Sequence, residues 1–117
     1  MKEKSDENWE VGLRCLKEGK LNVAASRLYY ALFQSVYQWA KKIKSYSGSP
    51  RVHEDMVKLV RDEGGRQVHY SNKLNDFRSL RVTADYDREP PSESDIKELL
   101  EDADAMRNHY FKKTLLR

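Results

Sequence analysis

The sequence predicts an all-α protein, an antiparallel helical bundle of four to five helices forming a single domain over residues 1–117. Three observations carry this expectation. Five stretches space their apolar residues three and four apart, Gly and Pro are read as the stops between them, and no alternating run is long enough for a strand. A chain of this length has room for one core and not for two.

The first stretch, roughly 5 to 18, carries Trp9, Leu13 and Leu16 at helical spacing and stops at Gly19. The second, roughly 20 to 43, is the longest. Leu21, Ala25, Leu28, Leu32, Val36 and Trp39 share one face, which Tyr29, Phe33 and Ala40 widen, so this helix is expected at the centre. The aromatic run Tyr29, Tyr30, Phe33, Tyr37 and Trp39 reads as the core nucleus. Only a thin stripe stays polar, made of Arg27, Gln34, Gln38 and Lys41, with Tyr30 and Tyr37 at its border.

Ser49-Pro50 reads as the N-cap and first residue of a third helix striped by Val52, Met56, Leu59 and Val60, which ends at Gly64-Gly65. A polar connection through Arg66, His69 and Ser71 is expected to lead to a fourth helix carrying Leu74, Phe77, Leu80 and Ala84, closed by Pro90-Pro91. Ser92 and Asp95 resemble a capping box, opening a fifth helix through Ile96, Leu99, Leu100, Ala103 and Met106 to about residue 114.

Charge and motif content narrow the function. Twenty-two basic and 19 acidic residues leave a net charge of +3, which permits nucleic-acid binding without demanding it. A single cysteine, Cys15, cannot form an internal disulfide, and no Cys or His pair has metal-ligand spacing, so neither a metal nor another cofactor is expected. The polar start and the lack of a long apolar run predict a cytoplasmic protein with no membrane association. There is no Gly-rich phosphate loop, no Gly-x-Ser-x-Gly and no His-Glu-x-x-His, and no catalytic residue is assigned.

Two places could carry chemistry. Tyr30 lies beside Arg27, where a hydroxyl and a guanidinium could face a phosphate or a base, or where the tyrosine simply marks a helix boundary. Arg81 leaves the fourth helix from the edge of its apolar stripe, with Asp85 one turn on and Arg78 and Tyr86 nearby. Arg81 and Asp85 read either as a structural pair or as part of an anion site. His53, His69 and His109 stand apart in the sequence and read as ordinary hydrogen-bonded side chains.

The run Ala24-Ala25-Ser26-Arg27-Leu28-Tyr29-Tyr30-Ala31-Leu32-Phe33, then His53 opening the next helix, then Leu80-Arg81-Val82-Thr83-Ala84-Asp85-Tyr86-Asp87, resembles the small prokaryotic HEPN-domain proteins (higher eukaryotes and prokaryotes nucleotide-binding). The likeness spans roughly residues 10 to 112. It implies a helical bundle that forms a homodimer, often beside a minimal nucleotidyltransferase as a toxin–antitoxin-like module. Many HEPN proteins are metal-independent ribonucleases in which four to six residues separate an Arg from a following His. This chain departs from that pattern: seven residues separate Arg61 from His69 and one separates Arg107 from His109. Two readings follow. The domain binds nucleotide or RNA, or serves a nucleotidyltransferase as helical partner, through Arg27, Tyr30, Arg78, Arg81, Asp85 and Tyr86. Alternatively it is an unconventional ribonuclease in which Tyr86 or Asp85 replaces the histidine.

Overall fold

Gly19 stops the first helix by the expected device. At φ +76° it lets its own N–H reach the Leu16 carbonyl (3.1 Å) while the Lys20 N–H reaches that of Cys15 (2.8 Å), a Schellman closure. The computed structural model describes residues 2–86 and 91–115, and the side chains of Arg66, Thr83, Ala84, Asp85 and Tyr86 lie outside that description. Five helices follow in order: α1 (Lys2–Lys17), α2 (Leu21–Ile43), α3 (Val52–Asp62), α4 (Arg66–Tyr86) and α5 (Glu93–Leu115), with no strand among the described residues.

Side-chain pairs give the helix directions. Ser5 meets Ala31 while Gly12 meets Leu28, so α1 and α2 are antiparallel. Gln67 meets His109 while Lys73 meets Asp102, so α4 and α5 are antiparallel too. α2 packs against each of the other four helices and buries Leu28, Leu32, Val36 and Trp39 completely, which makes it the central helix expected from its apolar face.

Four local readings are corrected. Glycine is not only a helix stop: Gly12 is buried within α1, where a Cβ would come within 2.7 Å of the Leu28 side chain, so its bareness sets how closely α1 and α2 approach. The buried face of α1 is accordingly Ser5, Asn8, Gly12, Cys15 and Leu16, while Leu13 is exposed and Trp9 half-buried. Small and polar residues win the inner face because it meets a backbone at short range.

The connection expected through Arg66, His69 and Ser71 is already helix. Gly64 and Gly65, both at positive φ, turn the chain, and helical bonding resumes at once from Gln67 to Gly64 and from Val68 to Gly65. Within that helix His69 is exposed, while Ser71 is buried and its hydroxyl donates to the Val68 carbonyl at 2.7 Å. Ser49 does not cap at the expected register. α3 begins at Val52, and the Ser49 hydroxyl accepts from the Arg51 N–H (3.0 Å) while donating to Asp55. Ser92 does cap, its hydroxyl accepting from the Asp95 N–H at 3.0 Å.

Finally, the aromatic run of α2 is divided. Tyr29 and Trp39 are buried, whereas Tyr30, Phe33 and Tyr37 are half-buried along one edge of the bundle.

Candidate functional site

That edge is where the polar stripe of α2 meets α1. Arg27 and Gln34 are two turns apart on α2, and Asn8 of α1 bridges them: Arg27 Nη1 donates to Asn8 Oδ1 (3.0 Å) and Asn8 Nδ2 donates to Gln34 Oε1 (3.2 Å). Beside this relay stand the three half-buried rings. Phe33 and Tyr37 are stacked, with centroids 5.5 Å apart and planes 14° from parallel. The relay, the rings, Lys4 and Ser26 line a cleft of about 640 Å³, within the size range of small-ligand sites. Among the described residues its lining holds two cations, Lys4 and Arg27, and no carboxylate.

Behind the rings, α3 and α4 contribute a second layer. The Arg81 guanidinium lies 5.0 Å from the Tyr30 ring centroid, a cation–π arrangement. Tyr30 meets Tyr29 edge-on (5.6 Å), and the Tyr29 hydroxyl shares a 2.5 Å hydrogen bond with His53 Nδ1. The imidazole also packs on Phe33, with centroids 4.6 Å apart. Burial raises the Tyr29 phenol well above its ordinary range, against the opposing pull of Arg78 and Arg81. Burial first, and then the same two arginines, lower His53 below the usual histidine value.

The six candidate side chains are distributed. Arg27 and Tyr30 line the cleft, and Arg81 meets it through Tyr30. Arg78 is half-buried, sits with Asn75, Ser79 and Val82 in a separate depression on α4, and makes itself felt at Tyr29 and His53. Asp85 and Tyr86 lie outside the described side chains. Sequence reasoning missed Asn8, Phe33 and Tyr37 as cleft residues and His53 as the partner of Tyr29. For Asn8 a signal existed: Ser5, Asn8 and Gly12 recur at helical spacing, a small polar seam beside an apolar neighbour. It also missed Arg107, a buried arginine that ties α5 to α1 through Asp6 and Ser5.

Among the described residues no group of His, Cys, Asp and Glu is arranged to hold a metal ion, and no helix is long and apolar enough to cross a membrane. A family profile described as HEPN domain matches residues 1–113. No curated protein and no solved structure matches the chain.

Proposed function

The chain belongs to the HEPN domain family, and from that premise we propose that it binds a nucleotide or single-stranded RNA in the cleft between α1 and α2. The observation that carries this reading is the pairing of a wall of three aromatic rings with two cations and, among the described residues, no carboxylate in one cleft. Bases stack on such walls whatever their sequence, and exposed guanidinium and ammonium groups take the phosphates. Arg27 is the main phosphate ligand. Arg81, from behind, holds the Tyr30 ring in place. Titrating the protein with nucleoside monophosphates and short RNAs by calorimetry tests the reading: saturable binding that weakens as salt rises supports it, and no heat at millimolar ligand overturns it.

Within the same reading the protein is a homodimer, with α4 in the interface, or the helical partner of a minimal nucleotidyltransferase in a toxin–antitoxin-like module. Family membership supports this, together with exposed Val82 on the face of α4 that carries Arg78. Light scattering that gives a monomer at high micromolar concentration, together with no complex on co-expression with a neighbouring nucleotidyltransferase, counts against it.

One observation favours a second reading, that of a metal-independent ribonuclease. His53 is kept neutral near pH 7, is bonded to Tyr29 and stands near Arg78 and Arg81. With Nδ1–H donating to the Tyr29 oxygen, Nε2 would take the proton of a ribose 2′-hydroxyl as that oxygen bonds to the adjacent phosphorus and the P–O5′ bond breaks, the guanidinium groups stabilising charge on the phosphate and water protonating the departing 5′-oxygen. RNA cleavage in the presence of a chelator, abolished by His53→Ala, would establish it.

A further inference from the structure

The hydrogen-bond relay on the cleft floor has a fixed polarity. Arginine only donates, so the Asn8 amide must turn its oxygen to Arg27 and its nitrogen to Gln34. Gln34 must then use its oxygen to accept, and its Nε2 keeps both N–H groups for the cleft that Gln34 lines. A free glutamine reads adenine, because it presents an acceptor to N6 and a donor to N7 at once. Here Asn8 takes one lone pair of that oxygen and fixes its direction toward α1, so the nitrogen end is the one left for a ligand. The floor offers donors from Gln34 beside the remaining N–H groups of Arg27, and the rings of Tyr30, Phe33 and Tyr37 line the same cleft.

We propose, resting on the nucleotide-binding reading, that the cleft selects guanine over adenine, with Gln34 and Arg27 donating to O6 and N7 on its major-groove edge. Guanine places two acceptors on that edge, whereas adenine would set its N6 amine against the Gln34 N–H groups and leave donors unmatched.

Calorimetric titration with GMP, IMP and AMP tests the proposal. GMP and IMP, which share O6 and N7, are expected to bind alike and on the order of tenfold tighter than AMP. The 7-deaza analogue of GMP should lose most of that advantage. Two variants reverse the relay. In Gln34→Glu the cleft faces an acceptor. In Asn8→Asp the new carboxylate accepts from both Arg27 and Gln34 Nε2, which turns the Gln34 oxygen toward the ligand. Each variant should move the GMP to AMP affinity ratio toward adenine, and the ratio cancels any general loss of phosphate binding from the added charge. If all three nucleotides bind equally, or if GMP is preferred and IMP is not, the proposal is overturned while nucleotide binding stands. If none binds, the underlying reading fails and the proposal with it.

Discussion

Two arginines reach into α1 from neighbouring helices, and they end in opposite circumstances. Arg107 of α5 is 5% exposed, its Nη2 lies 2.5 Å from the Asp6 carboxylate, its Nε donates to Ser5 at 3.2 Å, and its guanidinium lies 4.9 Å from the Trp9 ring centroid. Arg27 of α2 is exposed, and the bond recorded for it is to the neutral Asn8 amide. A buried guanidinium with its charge answered holds two helices together and offers nothing to a ligand. An exposed one oriented by a neutral amide keeps its charge available while its direction is fixed. The same residue type on the same partner helix is thus buried and ion-paired at one seam and cleft-lining at the other, and what distinguishes them is whether a carboxylate meets the guanidinium.

The largest expected effect separates the two seams by stability. Asp6→Asn leaves the buried Arg107 charge with only the more distant Asp104 carboxylate at 3.7 Å, and unfolding in denaturant should show a loss of about 2 to 3 kcal/mol, below the range for fully buried broken pairs because Asp104 remains and Asp6 is itself 44% exposed. Arg27→Gln removes one bond between an exposed cation and an amide and should cost about 1 kcal/mol or less. Equal losses would erase the distinction between the seams.

Affinity should rank them the other way. Arg27→Ala is expected to weaken nucleotide binding about ten- to a hundredfold, the worth of a charge-assisted contact. Asp6→Asn, measured where it remains folded, should leave binding within about twofold of the parent. Arg81→Ala falls between them. It removes the cation–π contact that orients Tyr30, so a several-fold loss of affinity is expected by the same calorimetry, with a loss of stability of about 1 kcal/mol or more. An Arg81→Ala loss as large as that of Arg27→Ala would place Arg81 on the ligand itself.

Much of this architecture is legible in the sequence, because helix periodicity and Gly–Pro punctuation are local signals. The central place of α2 follows from its wide apolar face, and the stop at Gly19 from a residue that adopts positive φ freely. The site is only half legible. Arg27 and Tyr30 announce themselves because they interrupt an apolar helix. Asn8 does not, since what places it in the cleft is a contact across to Gln34, distant in sequence, and a polar residue in a polar first helix looks like surface. Arg107 was invisible for the same reason: its partners Asp6 and Ser5 lie at the other end of the chain. Which aromatic rings line a cleft rather than fill a core depends on where α1 stops covering α2, and Gly12 governs that approach through a close contact that no periodicity reports.

The smallest expected effect concerns the layer behind the cleft, and its sign is fixed by His53. Burial and the two arginines of α4 hold its folded pKa below the ordinary histidine value of 6.5. Between the folded pKa and that value the unfolded chain binds more protons than the folded one, so stability rises with pH through this window, is full above it and is lost as pH falls through it. Asp55 acts in a different window. Hydrogen bonds from Ser49 and Tyr46 hold its carboxyl below 3.8, so its contribution is complete above that value and fades only in stronger acid. Denaturant midpoints compared at about pH 7.5 and about pH 5 therefore isolate the histidine from this carboxylate, and the protein should be the less stable at the lower pH. His53→Gln keeps a hydrogen-bonding partner for Tyr29 and removes the titration. It should flatten that slope, and a slope unchanged in the variant would mean that His53 does not sense Arg78 and Arg81, which would detach the second layer from the cleft.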